Sequence, residues 1–113
     1  MNHKILLVCV LGAFAGQTSA MGVSGNAAAG KQKAVTVCAA CHGADGNKTL
    51  DDSYPKLAGQ YPDYMLKALK EYKSGKRSNA VMAAQAQALS DADMANLVLY
   101  YGSLKSQIGT LPN

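Results

Sequence analysis

Two thiols and an imidazole stand together in Cys38-Ala39-Ala40-Cys41-His42, and their spacing restricts what they can do. Residues three and four apart share one face of a helical turn, so both sulfurs can reach the two vinyl groups of a single haem while His42 faces its iron. Thioether bonds of that kind make a cofactor permanent, which suits a chain too small to hold it by packing alone. Three other uses of the same residues compete. A redox-active dithiol of the thioredoxin kind needs a βαβ setting, and no segment here shows sustained strand alternation. A zinc site wants four ligands, and beyond residue 20 the only sulfur and imidazole donors of the usual kind are Cys38, Cys41 and His42. A plain structural disulfide has no use for the histidine that follows.

An iron held by His42 on one side needs a partner on the other. Beyond residue 20 there is no second histidine, and methionine sulfur is the usual alternative in electron-transfer haem proteins. Met21 sits in a tail. Met65 and Met94 fall on the apolar stripes of expected helices, where core packing explains them. Met82 reads as part of an alanine-rich turn in irregular chain between two helices, free to fold over the far face of the haem, and is the expected sixth ligand. With both axial positions filled, no place is left for a substrate. Peroxidase-type chemistry would also want a distal acid or base, and there is no second histidine to supply it.

The elements that position these groups are expected to be helical, giving an all-α fold with long connecting loops. Ala27 to about Ala40 is mostly alanine, lysine, glutamine and valine and suits a helix whose last turn carries the cysteines. Gly22 to Asn26 reads as a flexible lead-in. Gly43-Ala44-Asp45-Gly46-Asn47 is dense in turn formers, and the loop it begins runs to about Gly59. Pro62 opens a second helix in which Met65, Leu66, Leu69 and Tyr72 recur on one face, and Ser74-Gly75 closes it. Ser90, followed by Asp91 and Asp93, starts a last helix with Met94, Leu97, Val98 and Tyr101 on its stripe.

The chain has 113 residues, 49% of them hydrophobic and 16% charged, which limits it to one small domain. Residues 1–20 read as a cleaved export signal: a cationic start at Lys4, an apolar run from Ile5 to Ala15, and small residues Thr18-Ser19-Ala20 at the cleavage point. A membrane-spanning helix needs roughly 20 consecutive apolar residues, and this run ends sooner. The expected organisation is therefore a leader over 1–20 and one domain over 21–113. Removing the leader leaves only Cys38 and Cys41 of the three cysteines, and takes Phe14, the single phenylalanine. A core with six tyrosines and no tryptophan is thin, and domains of this size commonly enlist a cofactor to complete it. The net charge of +4 is moderate, pointing to a local basic patch rather than to nucleic-acid binding.

Taken together, several segments resemble class I c-type cytochromes, in particular the bacterial cytochrome c553 and the single-haem half of cytochrome c4. They are Val37 to Gly43, Tyr54-Pro55-Lys56-Leu57-Ala58-Gly59-Gln60, Gly75-Lys76-Arg77 ahead of Met82, and Leu89 to Asp93 leading to Tyr100-Tyr101. The resemblance implies a small cytochrome c fold, with three main helices and loops wrapped around one covalent haem c. It implies that the Pro55 carbonyl accepts the Nδ1 proton of His42, that Leu57 forms an apolar wall against the porphyrin, and that Gly30 lets the first and last helices cross against Tyr100. The chain departs from the family in having Asn79-Ala80-Val81 where a proline often precedes the ligand methionine. It also has one C-x-x-C-H where cytochrome c4 has two such domains.

These readings converge on a periplasmic one-electron carrier rather than an enzyme. The alternative is the same domain permanently docked to a dehydrogenase or oxidase. Lys67, Lys70, Lys73, Lys76 and Arg77 are expected to form a basic rim near the haem edge, meeting redox partner proteins with an acidic docking surface.

Overall fold

The computed structural model describes Gly12 and residues 16–108. Most of the expected leader, Cys9 included, lies outside the described residues. The first element among the described residues is a short antiparallel hairpin, β1 (Thr18–Ala20) with β2 (Val23–Gly25), paired Thr18 to Gly25 and Ala20 to Val23. The lead-in expected over Gly22–Asn26 is thus ordered in part, because Val23 is buried against the last helix, whereas β1 is exposed throughout.

Four helical segments follow. The first combines α1 (Ala27–Lys33), a widened π-helical turn over Ala34–Cys38, and α2 (Ala39–His42). Asn26 caps its start, its side chain accepting from Ala29 N at 2.9 Å. In the widened turn Thr36 Oγ1 donates back to the carbonyls of Gln32 and Lys33, each at 3.1 Å, a bond that competes with the regular helical ladder. Next comes α3 (Pro62–Ser74), with proline in its first turn, where the missing N–H costs nothing. The segment expected as an alanine-rich turn is α4 (Ala80–Gln87), a helix capped by Asn79, whose side chain accepts from Met82 N at 2.9 Å. Four alanines and a good cap are enough to make it helical. Last is α5 (Asp91–Ser103), begun by a reciprocal capping box in which Asp93 N donates to Ser90 Oγ and Ser90 N donates to the Asp93 carboxylate, both at 3.0 Å.

The core is built around α5. Met94, Leu97, Val98, Leu99, Tyr100 and Tyr101 are buried there, against Val23, Ala34, Met65 and Leu89. The helix crosses α1, lies beside α3 and covers β2, while α4 packs on α3.

The crossing of α1 and α5 depends on one missing atom. A Cβ on Gly30 would stand 2.0 Å from the Asn96 carbonyl oxygen and 3.0 Å from Leu97 N. The closest approach is therefore to the α5 backbone at Asn96–Leu97, one turn before the Tyr100 that the family resemblance implied. Asn96 also accepts the Asn26 amide at 2.7 Å, which pins the start of α1 to the same point. Because backbone cannot swing aside as a side chain can, Gly30→Ala is expected to destabilise the protein by about 3 kcal/mol. Urea unfolding reads this, and an unchanged midpoint would show that the helices part without cost.

Candidate functional site

Cys38 ends the widened turn and Cys41-His42 occupy the short helix after it, so the three chemical groups sit on one continuous piece of backbone. Both thiols are unpaired and half-buried, and no disulfide joins them. Burial pushes the Cys38 thiol up to about 11, partly opposed by the charge of Lys33. It therefore stays a neutral thiol at ordinary pH.

The loop after His42 turns back over it. Gly43 closes the helix, its amide donating to Ala39 O at 2.9 Å. The Asp45 carboxylate then accepts the amides of Asn47 and Lys48, each at 2.9 Å, which tightens the turn and holds its carboxyl below the usual range. Gly46 lies at φ +68, and its carbonyl accepts Leu57 N at 2.8 Å and Ala58 N at 3.1 Å. A Cβ there would meet both Ala58 N and the Tyr101 ring at 2.9 Å. Buried Asn47 ties the same loop to the chain end, donating to Lys105 O at 3.0 Å and accepting Gln107 N at 2.8 Å.

This folding back brings Pro55 to His42. The Pro55 carbonyl lies 2.8 Å from His42 Nδ1, and a carbonyl can only accept, so Nδ1 carries the proton and Nε2 keeps its lone pair. The ring is buried and set edge-on to Tyr54, with centroids 6.2 Å apart. Such a hydrogen bond orients an imidazole and raises its basicity toward a metal. Leu57 is half-buried and packs against the main core, as Cys38 does.

The methionines separate by environment. Met65 and Met94 are core residues, 7% and 1% exposed. Met21 lies in the hairpin turn, 55% exposed. Met82 is half-buried at the third position of α4, in a helix and not in the irregular chain expected for it.

Two tyrosines near the cysteines were not singled out from the sequence. Tyr54 neighbours Cys41, whose negative form would raise the phenol above its usual range. Tyr101 is 2% exposed and its hydroxyl has no hydrogen-bond partner, the one such buried side-chain atom among the described residues. Burial, and then the proximity of Cys38, raise it as well. Spacing had placed Tyr101 on the apolar stripe of α5, which is correct for its ring and silent about its oxygen. The donor set fits a covalently attached haem: two unpaired thiols, one imidazole with its metal-facing nitrogen free, and a buried hydroxyl wanting a partner beside the first cysteine. Among the described residues no group of three or more His, Cys, Asp or Glu could hold a bare metal ion.

The basic segment is partly occupied. Lys67 and Arg77 both pair with Glu71, the latter at 3.3 Å, and the Arg77 guanidinium lies 5.7 Å and 5.5 Å from the ring centroids of Tyr64 and Tyr72. Lys73 Nζ donates to Leu89 O at 2.5 Å. Lys70 and Lys76 remain exposed, without ion-pair partners among the described residues.

The family profile described as cytochrome c matches residues 27–105. The chain is 45% identical over 94 residues to cytochrome c4 of Pseudomonas aeruginosa, covering 83% of this chain and 46% of that protein. It is 45% identical over 83 residues to cytochrome c-554(548) of Halomonas halodenitrificans, covering 71% of this chain and 98% of that one. The crystal structure of reduced recombinant cytochrome c4 from Pseudomonas stutzeri superposes with a TM-score of 0.68 at 37% identity, over 75% of this chain and 48% of that chain. The chain thus spans about half the length of the cytochromes c4 that it matches.

A buried hydroxyl that gains a partner when the cofactor is in place contributes about 1 kcal/mol, whereas one left orphaned is a net cost. Tyr101→Phe is accordingly expected to lower the stability of the haem-loaded protein by about 1 kcal/mol in urea unfolding. A neutral or stabilising substitution would mean that the hydroxyl stays unpaired.

Proposed function

The chain belongs to the cytochrome c family, which carries covalently bound haem c, and on that premise we propose that it is a periplasmic one-electron carrier with His42 and Met82 as axial ligands. The observation that carries the reading is the 2.8 Å bond between His42 Nδ1 and the Pro55 carbonyl, which leaves Nε2 free directly after two unpaired thiols. Haem bound there supplies a one-electron couple, whose potential axial ligation can move over about 0.8 V. Cys38 and Cys41 hold it as thioethers. Pro55 fixes the tautomer and orientation of the imidazole, and Leu57 contributes apolar wall. Of the methionines beyond residue 20, Met65 and Met94 are consumed by the core and Met21 is exposed beside the proposed cleavage point, which leaves Met82.

With His42 and Met82 both engaged, the site offers a substrate no position to bind, so its traffic is limited to electrons. Partners are redox proteins. Among the described residues no helix is long and apolar enough to cross a membrane, which is compatible with a periplasmic protein freed of its leader. The docking surface is basic and centred on Lys70 and Lys76, since Lys67, Lys73 and Arg77 have partners within the fold.

If the attachment is covalent at both cysteines, haem should stay with the denatured chain through acidified organic extraction, and Cys38→Ser with Cys41→Ser should release it. Met82→Ala, but neither Met65→Ala nor Met94→Ala, should abolish the ferric sulfur-to-iron charge-transfer band and lower the potential. A band that survives in Met82→Ala would refute the ligand assignment.

For docking, charge reversal at Lys70 and Lys76 should slow electron transfer to an acidic partner at low salt, with the optical spectrum unchanged. The effect should fade as the Debye length falls to about 8 Å at physiological ionic strength. Rates indifferent to both salt and charge would point to an apolar contact at the haem edge instead.

A further inference from the structure

The helix that carries Met82 has little apolar surface with which to hold its place. Its sequence is Ala80-Val81-Met82-Ala83-Ala84-Gln85-Ala86-Gln87, Val81 is 55% exposed, and Ala86 is the only residue it buries fully. At about 25 cal/mol per Å² of apolar surface removed from water, a methyl side chain anchors weakly. Polar contacts hold it instead. At its start Asn79 caps the Met82 amide. At its end two bonds cross to α3: Gln87 Nε2 donates to Lys73 O at 2.7 Å, and Lys73 Nζ donates to Leu89 O at 2.5 Å.

These two bonds are reciprocal, each residue giving one and the Lys73 backbone or the α4–α5 turn receiving it. Lys73 lies in the last turn of α3, and its ammonium reaches a carbonyl just past the C-terminus of α4, where a helix presents unpaired carbonyls and partial negative charge. Leu89 is buried in the main core, so the bond ties the end of α4 to a fixed point. On a helix, Met82 shares a face with Ala86 and not with Gln87. The clasp therefore grips α4 without using the face that presents Met82.

We infer that Lys73 and Gln87 form a clasp whose role is to hold Met82 in place as a ligand, so that it sets how readily the methionine leaves. The inference rests on Met82 being the second axial ligand. It also reassigns Lys73 from docking to positioning: an ammonium already bonded to a carbonyl in a half-buried setting is poorly placed to steer a partner.

The test is the rate at which imidazole, added in excess to the ferric haem-loaded protein, replaces the methionine. At saturation that rate equals the rate of methionine departure. Gln87→Ala and Lys73→Met should each raise it about fivefold or more, the amount expected from losing one such bond. Lys73→Arg, which keeps a donor for Leu89 O, should restore most of the wild-type rate, and Lys70→Met, which removes a neighbouring charge and no contact, should leave it unchanged. Global stability from urea unfolding is measured alongside; a rise in rate with the native charge-transfer band intact before imidazole is added marks local release, not unfolding. If Met82→Ala keeps that band, the ligand assignment fails and the clasp with it. If Met82→Ala loses the band yet the two clasp variants exchange at the wild-type rate, or Lys70→Met accelerates exchange equally, the clasp alone is overturned.

Discussion

The fold turns on the contact of two backbones at Gly30 and Asn96. Because no side chain separates them, α1 and α5 cross at the distance of their main chains, and the Asn96 side chain locks that point by accepting the Asn26 amide. The direction in which α1 leaves the crossing fixes where Cys38, Cys41 and His42 arrive eight to twelve residues later. Everything else is arranged around a helix pair that cannot slide.

From that anchor the site is assembled by the loop that follows it. Asp45, Gly46 and Asn47 bend the chain so that Gly46 O receives two amides and Pro55 comes back over His42, with Tyr101 of α5 filling the space a Cβ on Gly46 would take. One loop therefore orients the imidazole and is itself held by the central helix, through Gly59 N bonded to Tyr101 O at 2.9 Å. The same tyrosine leaves its hydroxyl without a protein partner beside Cys38. The core thus has one aromatic-rich helix and few other large side chains, and the family to which the chain belongs carries a covalent haem c.

The opposite side is built differently. There the chain relies on caps and side-chain-to-carbonyl bonds, because alanines cannot supply the packing that α5 has. The contrast matches the two tasks proposed for these residues: His42 is held by a loop woven into the core, and Met82 sits on a short helix held mainly by polar bonds at its two ends. The charges that the sequence suggests as a single basic rim divide, with Glu71 drawing in Lys67 and Arg77 and the Leu89 carbonyl taking Lys73.

Much of this was legible in the order of residues. The motif Cys38 to His42, the proline opening α3, the capping box at Ser90 and Asp93 and the apolar stripe of α5 are local patterns whose physics acts within a few residues, and they occur where spacing put them. The tertiary structure decided what depends on residues far apart. Asn79 and a run of alanines make a helix of the segment around Met82, which in sequence alone reads as a turn, because a cap and weakly packed helix formers are decided by whether α3 offers a surface to lie on. Gly30 stands out as a crossing point through the family resemblance, but that the backbone it meets most closely is that of Asn96 depends on the rotation of α5 about its axis. Lys73 looked like any surface cation until Leu89 O came within its reach, sixteen residues on in sequence. A side chain's type states which bonds it can make; only the folded chain brings up the partner that determines which one it makes.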